Sequence, residues 1–171
     1  MSDADYFDKL FPDFQQKTSA KKQENRSFFK RLKRTDQKHL DRQMHQLHEE
    51  VFACTDCLKC ANCCKTTGPL LTEKDIERLA KRERLKAAQF IEQYLRIDED
   101  GDYVFKTMPC PFLNIEDNTC LVYDIRPKAC REFPHTDRIK QFQILNITRK
   151  NTEVCPAVFE ITERLKQQLK K

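Results

Sequence analysis

The chain has 171 residues, 39% hydrophobic and 35% charged, and its net charge of +5 is the small difference between 32 basic and 27 acidic side chains. Both signs are mixed throughout, with 11 basic and 9 acidic residues in positions 1–50, so there is no concentrated basic footprint for a nucleic-acid partner and none is expected. No run of about 18 apolar residues offers a membrane span, the two glycines leave no Gly-rich phosphate loop, and an acidic start without an apolar stretch is no secretory signal, which points to a cytoplasmic chain.

From the N-terminus, Phe7, Leu10, Phe11 and Phe14 recur at helical spacing, interrupted by Pro12. Ser19 to Val51 is dense in Lys, Glu, Gln and Arg and reads as one long helix with a break near Thr35. Phe28, Phe29 and Leu32 form one apolar patch. Leu40, Met44, Leu47 and Val51 form a narrow stripe that packs on the rest of the protein or, in the sharper alternative, on a protein partner. Gly68-Pro69 is a turn, and Thr72 with Asp75 caps a helix through Ile76 and Leu79. A second helix runs from Lys86 to Leu95, with Phe90, Ile91, Tyr94 and Leu95 inward. "DEDGD" at 98–102 is a turn, since its glycine is wrongly placed for a calcium loop. Short strands are expected near Tyr103–Lys106 and Cys120–Tyr123. Ile139, Phe142 and Leu145 have helical spacing, although their β-branched neighbours leave a strand open. Pro156 opens a terminal helix through Val158, Ile161 and Leu165.

Nine cysteines dominate the chemistry. Five lie in "CTDCLKCANCCK" at 54–65, where Cys54, Cys57, Cys60 and Cys63 repeat a Cys-x2-Cys step. Cys110, Cys120, Cys130 and Cys155 follow far downstream, three of them in proline-marked turns: "PCPF", "RPKAC" and "VCPA". In a reducing compartment such density reads as metal ligation or redox chemistry rather than disulfides. Zinc and iron–sulfur centres usually take four thiolates each, so eight cysteines would fill two sites. Side chains of neighbouring residues diverge, so Cys63 and Cys64 are expected to serve two centres, or one of them the core. Cys54, Cys57, Cys60 and Cys64 match the Cys-x2-Cys-x2-Cys-x3-Cys spacing of bacterial ferredoxins, but Lys65 stands where a proline usually follows. Arg126, Lys128 and Arg131 flank Cys130 and would offset thiolate charge.

"CLKCANCCK" at 57–65, "PCPFL" at 109–113, "CLVYDIRPKACREFPH" at 120–135 and "CP" at 155–156 occur in this order. Together with "PLLTEKDIERLA" at 69–80 they resemble the CxxCxxCC cysteine-cluster family, the YkgJ-type zinc- or iron-chelating proteins, over about residues 54–160. The resemblance implies a metal-bound core with Cys57, Cys60, Cys63, Cys64, Cys110, Cys120, Cys130 and Cys155 as ligands. The cofactor implied is zinc or iron, the iron as an ion or a 4Fe-4S cluster. Cys54 is an addition to that pattern. One branch is similar to much longer flagellin lysine N-methylases, which makes an iron–sulfur enzyme the alternative to a metal of mainly structural role.

Among other candidates, His45 and His48 are three apart on the N-terminal helix, and His135, directly after "CREFP", would complete a Cys3His site if one cysteine defaulted. No Ser-His-Asp order, catalytic carboxylate pair or dinucleotide fingerprint occurs. The expected fold is mainly α with small β elements, organised around a cysteine-ligated metal centre. Residues 1–50 form a helical extension and 51–171 the cysteine-cluster domain. In a chain this polar, a structural zinc would contribute about 10 kcal/mol of folding free energy.

Overall fold

The computed structural model describes residues 12–169. Phe7, Leu10 and Phe11 lie outside the described residues. The contacts divide the chain into two units, one of residues 12–57 together with 134–169, the other of residues 58–133.

In the first unit, α1 (Phe14–Leu32) and α2 (Gln37–Phe52) replace the single long helix, and α1 begins five residues earlier than the charge-dense text suggests. The break falls where expected. Asp36 accepts the His39 N–H at 2.8 Å and caps α2, while Lys30 and Arg31 complement the C-terminal end of α1. Phe28, Phe29 and Leu32 are buried, as is the whole Leu40, Met44, Leu47, Val51 stripe. The stripe packs on α9 (Pro156–Gln168), whose Ala157, Val158, Ile161 and Leu165 are almost completely enclosed. Each buried Val, Leu, Ile or Met side chain here contributes about 1.5–3 kcal/mol on burial. The face offered to a partner is therefore occupied within the chain. Phe14 meets Phe159 edge-on at 6.0 Å. Lys166 is buried with its ammonium 5.9 Å from the Phe28 ring centroid and on Glu24 at 2.8 Å and Glu163 at 2.5 Å.

The segment before α8 (Leu145–Asn151) departs from its helical spacing. Ile139 is 71% exposed, and Gln141–Gln143 is a 3-10 turn. Lys140 is left-handed (φ +60°), and the cause is a tertiary contact: Asp41 captures the N–H groups of Lys140 and Gln141 at 2.7 and 2.8 Å. The Gln141 amide, fully buried, donates to the carbonyls of His135 and Arg138.

The second unit opens with two short turns of helix, α3 (Cys57–Cys60, which starts on the last residue of the first unit) and α4 (Asn62–Thr66). Gly68 then turns the chain at φ +68°, its N–H bonded to the Cys63 carbonyl. Strand β1 (Leu70–Leu71) leads into α5 (Glu73–Arg82), and Thr72 and Asp75 form the expected reciprocal capping box. Helix α6 (Ala87–Tyr94) stops one residue early, because Leu95 already belongs to β2 (Leu95–Ile97). Strand β3 (Tyr103–Phe105) completes an antiparallel sheet of order β1-β3-β2. The "DEDGD" turn joins β2 to β3, with the Asp98 carboxylate accepting the N–H groups of Asp100 and Asp102.

No strand forms at Cys120–Tyr123. A single bridge pairs Leu113 with Cys120, and the chain then coils into a 3-10 turn at Tyr123–Ile125, with the Tyr123 N–H on the Cys120 carbonyl. Helix α7 (Lys128–Glu132) follows. The core of this unit is Leu71, Ile76, Leu79, Phe90, Leu95, Phe105, Phe112 and Val122, with Phe90 stacked on Tyr94 at 4.8 Å; Cys110 and Cys120 pack against it. The fold is mainly helical with a small antiparallel sheet, as the sequence indicates, and no helix among the described residues is long and apolar enough to cross a membrane.

Candidate metal centre

All nine cysteines are free thiols. Six of the eight predicted ligands, Cys60, Cys63, Cys64, Cys110, Cys120 and Cys130, lie in the second unit; Cys57 and Cys155 belong to the first. Cys54 and Cys57 are exposed, and Cys155 is buried at the start of α9.

Four backbone segments bring the second-unit thiols together. The Cys110 N–H donates to the Cys64 carbonyl at 2.8 Å, joining the early cysteine run to the "PCPF" turn. The Leu113–Cys120 bridge and the Leu121 N–H on the Phe112 carbonyl fold the Cys120 arm back toward Cys110. Asn118, buried and left-handed (φ +61°), donates from its side chain to the Lys59 carbonyl at 3.0 Å, which ties this loop to the CLKC turn. Cys130 sits on α7, whose first N–H, from Lys128, is held by the Asp75 carboxylate.

The electrostatics report the resulting proximity. Burial pushes the Cys130 thiol up to about 12, reinforced by the neighbouring Cys64, Cys110 and Cys120 and partly offset by Arg126. Burial likewise raises Cys110 to about 11, with Cys64 and Cys120 adding to it against the N–H groups of Phe112 and Leu113. Cys120 is raised by burial and by Cys64, and is relieved by the Val122 N–H and Arg126. Cys64 moves the other way, to about 7, because the Cys63 thiol hydrogen-bonds it and Lys65 is close, against burial. Cys64, Cys110, Cys120 and Cys130 thus lie within range of one another's charge. The adjacent side chains of Cys63 and Cys64 meet rather than diverge, contrary to the expectation from their adjacency; the short α4 turn permits it.

Among the described residues, no three His, Cys, Asp or Glu side chains are drawn to ligating distances of one point. The donor chemistry nonetheless fits a soft or borderline metal. Cys110, Cys120 and Cys130, whose ionisation is opposed first by burial and then by one another's charge, are the groups a divalent cation would stabilise as thiolates. The flanking cations divide their roles. Arg126 bears on Cys120 and Cys130 while its guanidinium lies 3.9 Å from the Tyr123 ring centroid. Arg131 donates to the Arg126 carbonyl at 2.9 Å, and Lys128 points to Glu132 in an exposed ion pair.

His45, His48 and His135 belong to the first unit. His45 faces Glu49 at 3.9 Å on the surface, whereas His48 is half-buried, 2.7 Å from the Thr136 hydroxyl and stacked on Phe52. Burial lowers the His48 pKa, partly countered by Asp137. His135 is a left-handed residue (φ +66°) of the first unit, its carbonyl held by Gln141.

A family model described as "Putative zinc- or iron-chelating domain" matches residues 56–156, more than half of the chain. The chain belongs to the CxxCxxCC family. A curated relative, "Uncharacterized protein MJ0661" of Methanocaldococcus jannaschii, is 27% identical over 86 residues, covering 49% of this chain and 46% of the relative. The chain thus spans about half the length of that relative. No solved structure matches.

Proposed function

We propose that this CxxCxxCC protein chelates zinc or iron through cysteine thiolates, with a mainly structural metal and no reaction of its own. The observation that carries this reading is the backbone pairing that draws distant segments together: the Cys110 N–H on the Cys64 carbonyl at 2.8 Å and the Leu113–Cys120 bridge, with Cys130, 66 positions beyond Cys64, near enough for the charges of these thiols to bear on it. These four would hold the metal, with Cys63 supporting Cys64, and the family pattern adds Cys57, Cys60 and Cys155 to the ligand set. A bound metal supplies positive charge that stabilises all four thiolates and links their segments. Arg126 offsets part of the remaining negative charge. A fully thiolate-ligated ion leaves no open position for substrate, which suits a structural or storage role rather than catalysis. A reducing compartment such as the cytoplasm would keep the thiols available.

Anaerobic purification followed by metal and sulfide analysis and a visible spectrum tests this directly. Zinc without colour, or iron without sulfide, supports the reading. A brown protein absorbing near 400 nm, with stoichiometric iron and sulfide, would replace it with an iron–sulfur protein. Cys130→Ser and Cys120→Ser are expected to lower metal content while Cys54→Ser leaves it unchanged; equal occupancy in all three would refute the ligand assignment.

A further inference from the structure

Asp75 makes more bonds than a helix cap requires. It is 1% exposed, and its carboxylate accepts the Thr72 N–H at 3.0 Å, the Thr72 hydroxyl at 2.7 Å, the Arg78 guanidinium at 2.6 Å and the Lys128 N–H at 3.1 Å. The bond from the Thr72 N–H, with the Asp75 N–H donating back to the Thr72 hydroxyl oxygen at 3.3 Å, makes the capping box, and the Thr72 hydroxyl adds a bond inside it. The other two reach out of it. Arg78, oriented by Asp75, donates from Nε to the Ile125 carbonyl at 3.1 Å and from Nη2 to the Arg126 carbonyl at 3.1 Å. One ion pair on α5, its carboxylate buried and its guanidinium partly exposed, therefore grips Ile125, Arg126 and Lys128, three residues in a stretch of four that ends two positions before Cys130. This stretch belongs to no sheet and contains Pro127; its own backbone bonds are short-range, Ile125 N–H to the Val122 carbonyl, Arg126 N–H to the Tyr123 carbonyl and the Arg131 N–H to the Pro127 carbonyl, whereas the Asp75–Arg78 pair ties it to α5. It also places the Arg126 guanidinium, whose Nη1 donates to the Tyr123 carbonyl at 2.8 Å.

Resting on the thiolate reading above, we propose that Asp75 and Arg78 are the positioning pair of the thiol centre: they fix residues 125–128, which deliver Cys130 and Arg126, and so set metal affinity without touching the metal. Holding a ligand's segment in place removes the ordering cost from the binding step. Groups that orient ligands from outside typically contribute about 10–100-fold in metal affinity.

The test uses the full chain with cobalt(II) as spectroscopic probe and zinc in competition with a chelator. Asp75→Asn and Arg78→Ala are compared with Ala80→Gly, a change at a buried position of the same helix whose side chain bonds nothing in residues 125–128. Urea unfolding measures the stability lost by each. The expected result is a roughly 10–100-fold loss of cobalt and zinc affinity in Asp75→Asn and Arg78→Ala, with an altered thiolate-to-cobalt absorption. Ala80→Gly is expected to lose stability but keep wild-type affinity and spectrum. Should Asp75→Asn fail to fold, Arg78→Ala against Ala80→Gly decides alone. Wild-type affinity in Asp75→Asn and Arg78→Ala, or equal weakening in Ala80→Gly, overturns the positioning pair. A wild-type chain that takes up neither metal overturns the thiolate reading itself, a result distinct from unaffected variants of a metal-binding parent.

Discussion

Glu24→Gln isolates the contribution of a half-exposed carboxylate to holding a buried cation. Glu24 lies 2.8 Å from the ammonium of Lys166, which is 4% exposed, and 2.7 Å from Lys21. Hydrogen bonds from Lys166 and Lys21 bring its pKa from 4.5 down to about 2. At ~1.36 kcal/mol per pKa unit, that displacement of about 2.5 would correspond to about 3.4 kcal/mol. With the Glu24 side chain 43% exposed, solvent screening reduces this to about 1 kcal/mol. Glu163 remains on Lys166 in the variant, so the cation is not left bare. The sign follows from a folded pKa below the unfolded one: the contribution is present in full above about 4.5 and is lost as pH falls toward about 2. Urea unfolding followed by far-UV circular dichroism in low salt is expected to place Glu24→Gln about 1 kcal/mol below wild type at pH 7, with a clearly smaller gap at pH 3. A gap that widens on acidification, or none at pH 7, would refute the reasoning.

Three further outcomes are expected. Phe90→Ala removes a fully enclosed ring stacked on Tyr94 and is expected to cost about 3–5 kcal/mol, read as a lowered unfolding midpoint in urea. Gly68→Ala forces a left-handed alanine whose Cβ would meet the Met108 sulfur at 2.9 Å; a loss of about 1–2 kcal/mol is expected by the same assay. Zinc added to the metal-free chain at pH 7 should acidify a weakly buffered solution, because Cys110 and Cys130 hold their protons until a metal displaces them. Zinc added to the buffer without protein gives the baseline, and no pH change beyond it on zinc uptake would contradict thiol ligation.

Periodicity made most helices legible in the sequence. The Leu40–Val51 stripe and the Val158–Leu165 face are long enough for burial to dominate, and each is buried. Boundaries were less legible where tertiary contacts outbid local pattern. Asp41 captures the amides of Lys140 and Gln141 from about 100 positions away, so the spacing of Ile139, Phe142 and Leu145 misleads. At the site, the cysteines were visible by spacing alone, and Asp75 was visible as a cap. Its hold on Lys128 was not, since nothing local relates positions 53 apart. Asn118 carried a faint signal: asparagine tolerates the left-handed conformation that lets it reach the Lys59 carbonyl. The contact of Cys63 with Cys64 was hidden because it depends on the α4 turn.

The interrupted make-up of the first unit bears on the order in which the nascent chain can acquire structure. Residues 58–133 emerge from the ribosome as a continuous stretch carrying all the contacts internal to that unit, whereas α2 must wait for α9, more than 100 positions later, before its apolar stripe is covered. Closing so long a loop is entropically costly and comes late. A chain that had emerged only to about residue 140 would therefore display Leu40, Met44, Leu47 and Val51 to chaperones while residues 58–133 already had all their own packing partners.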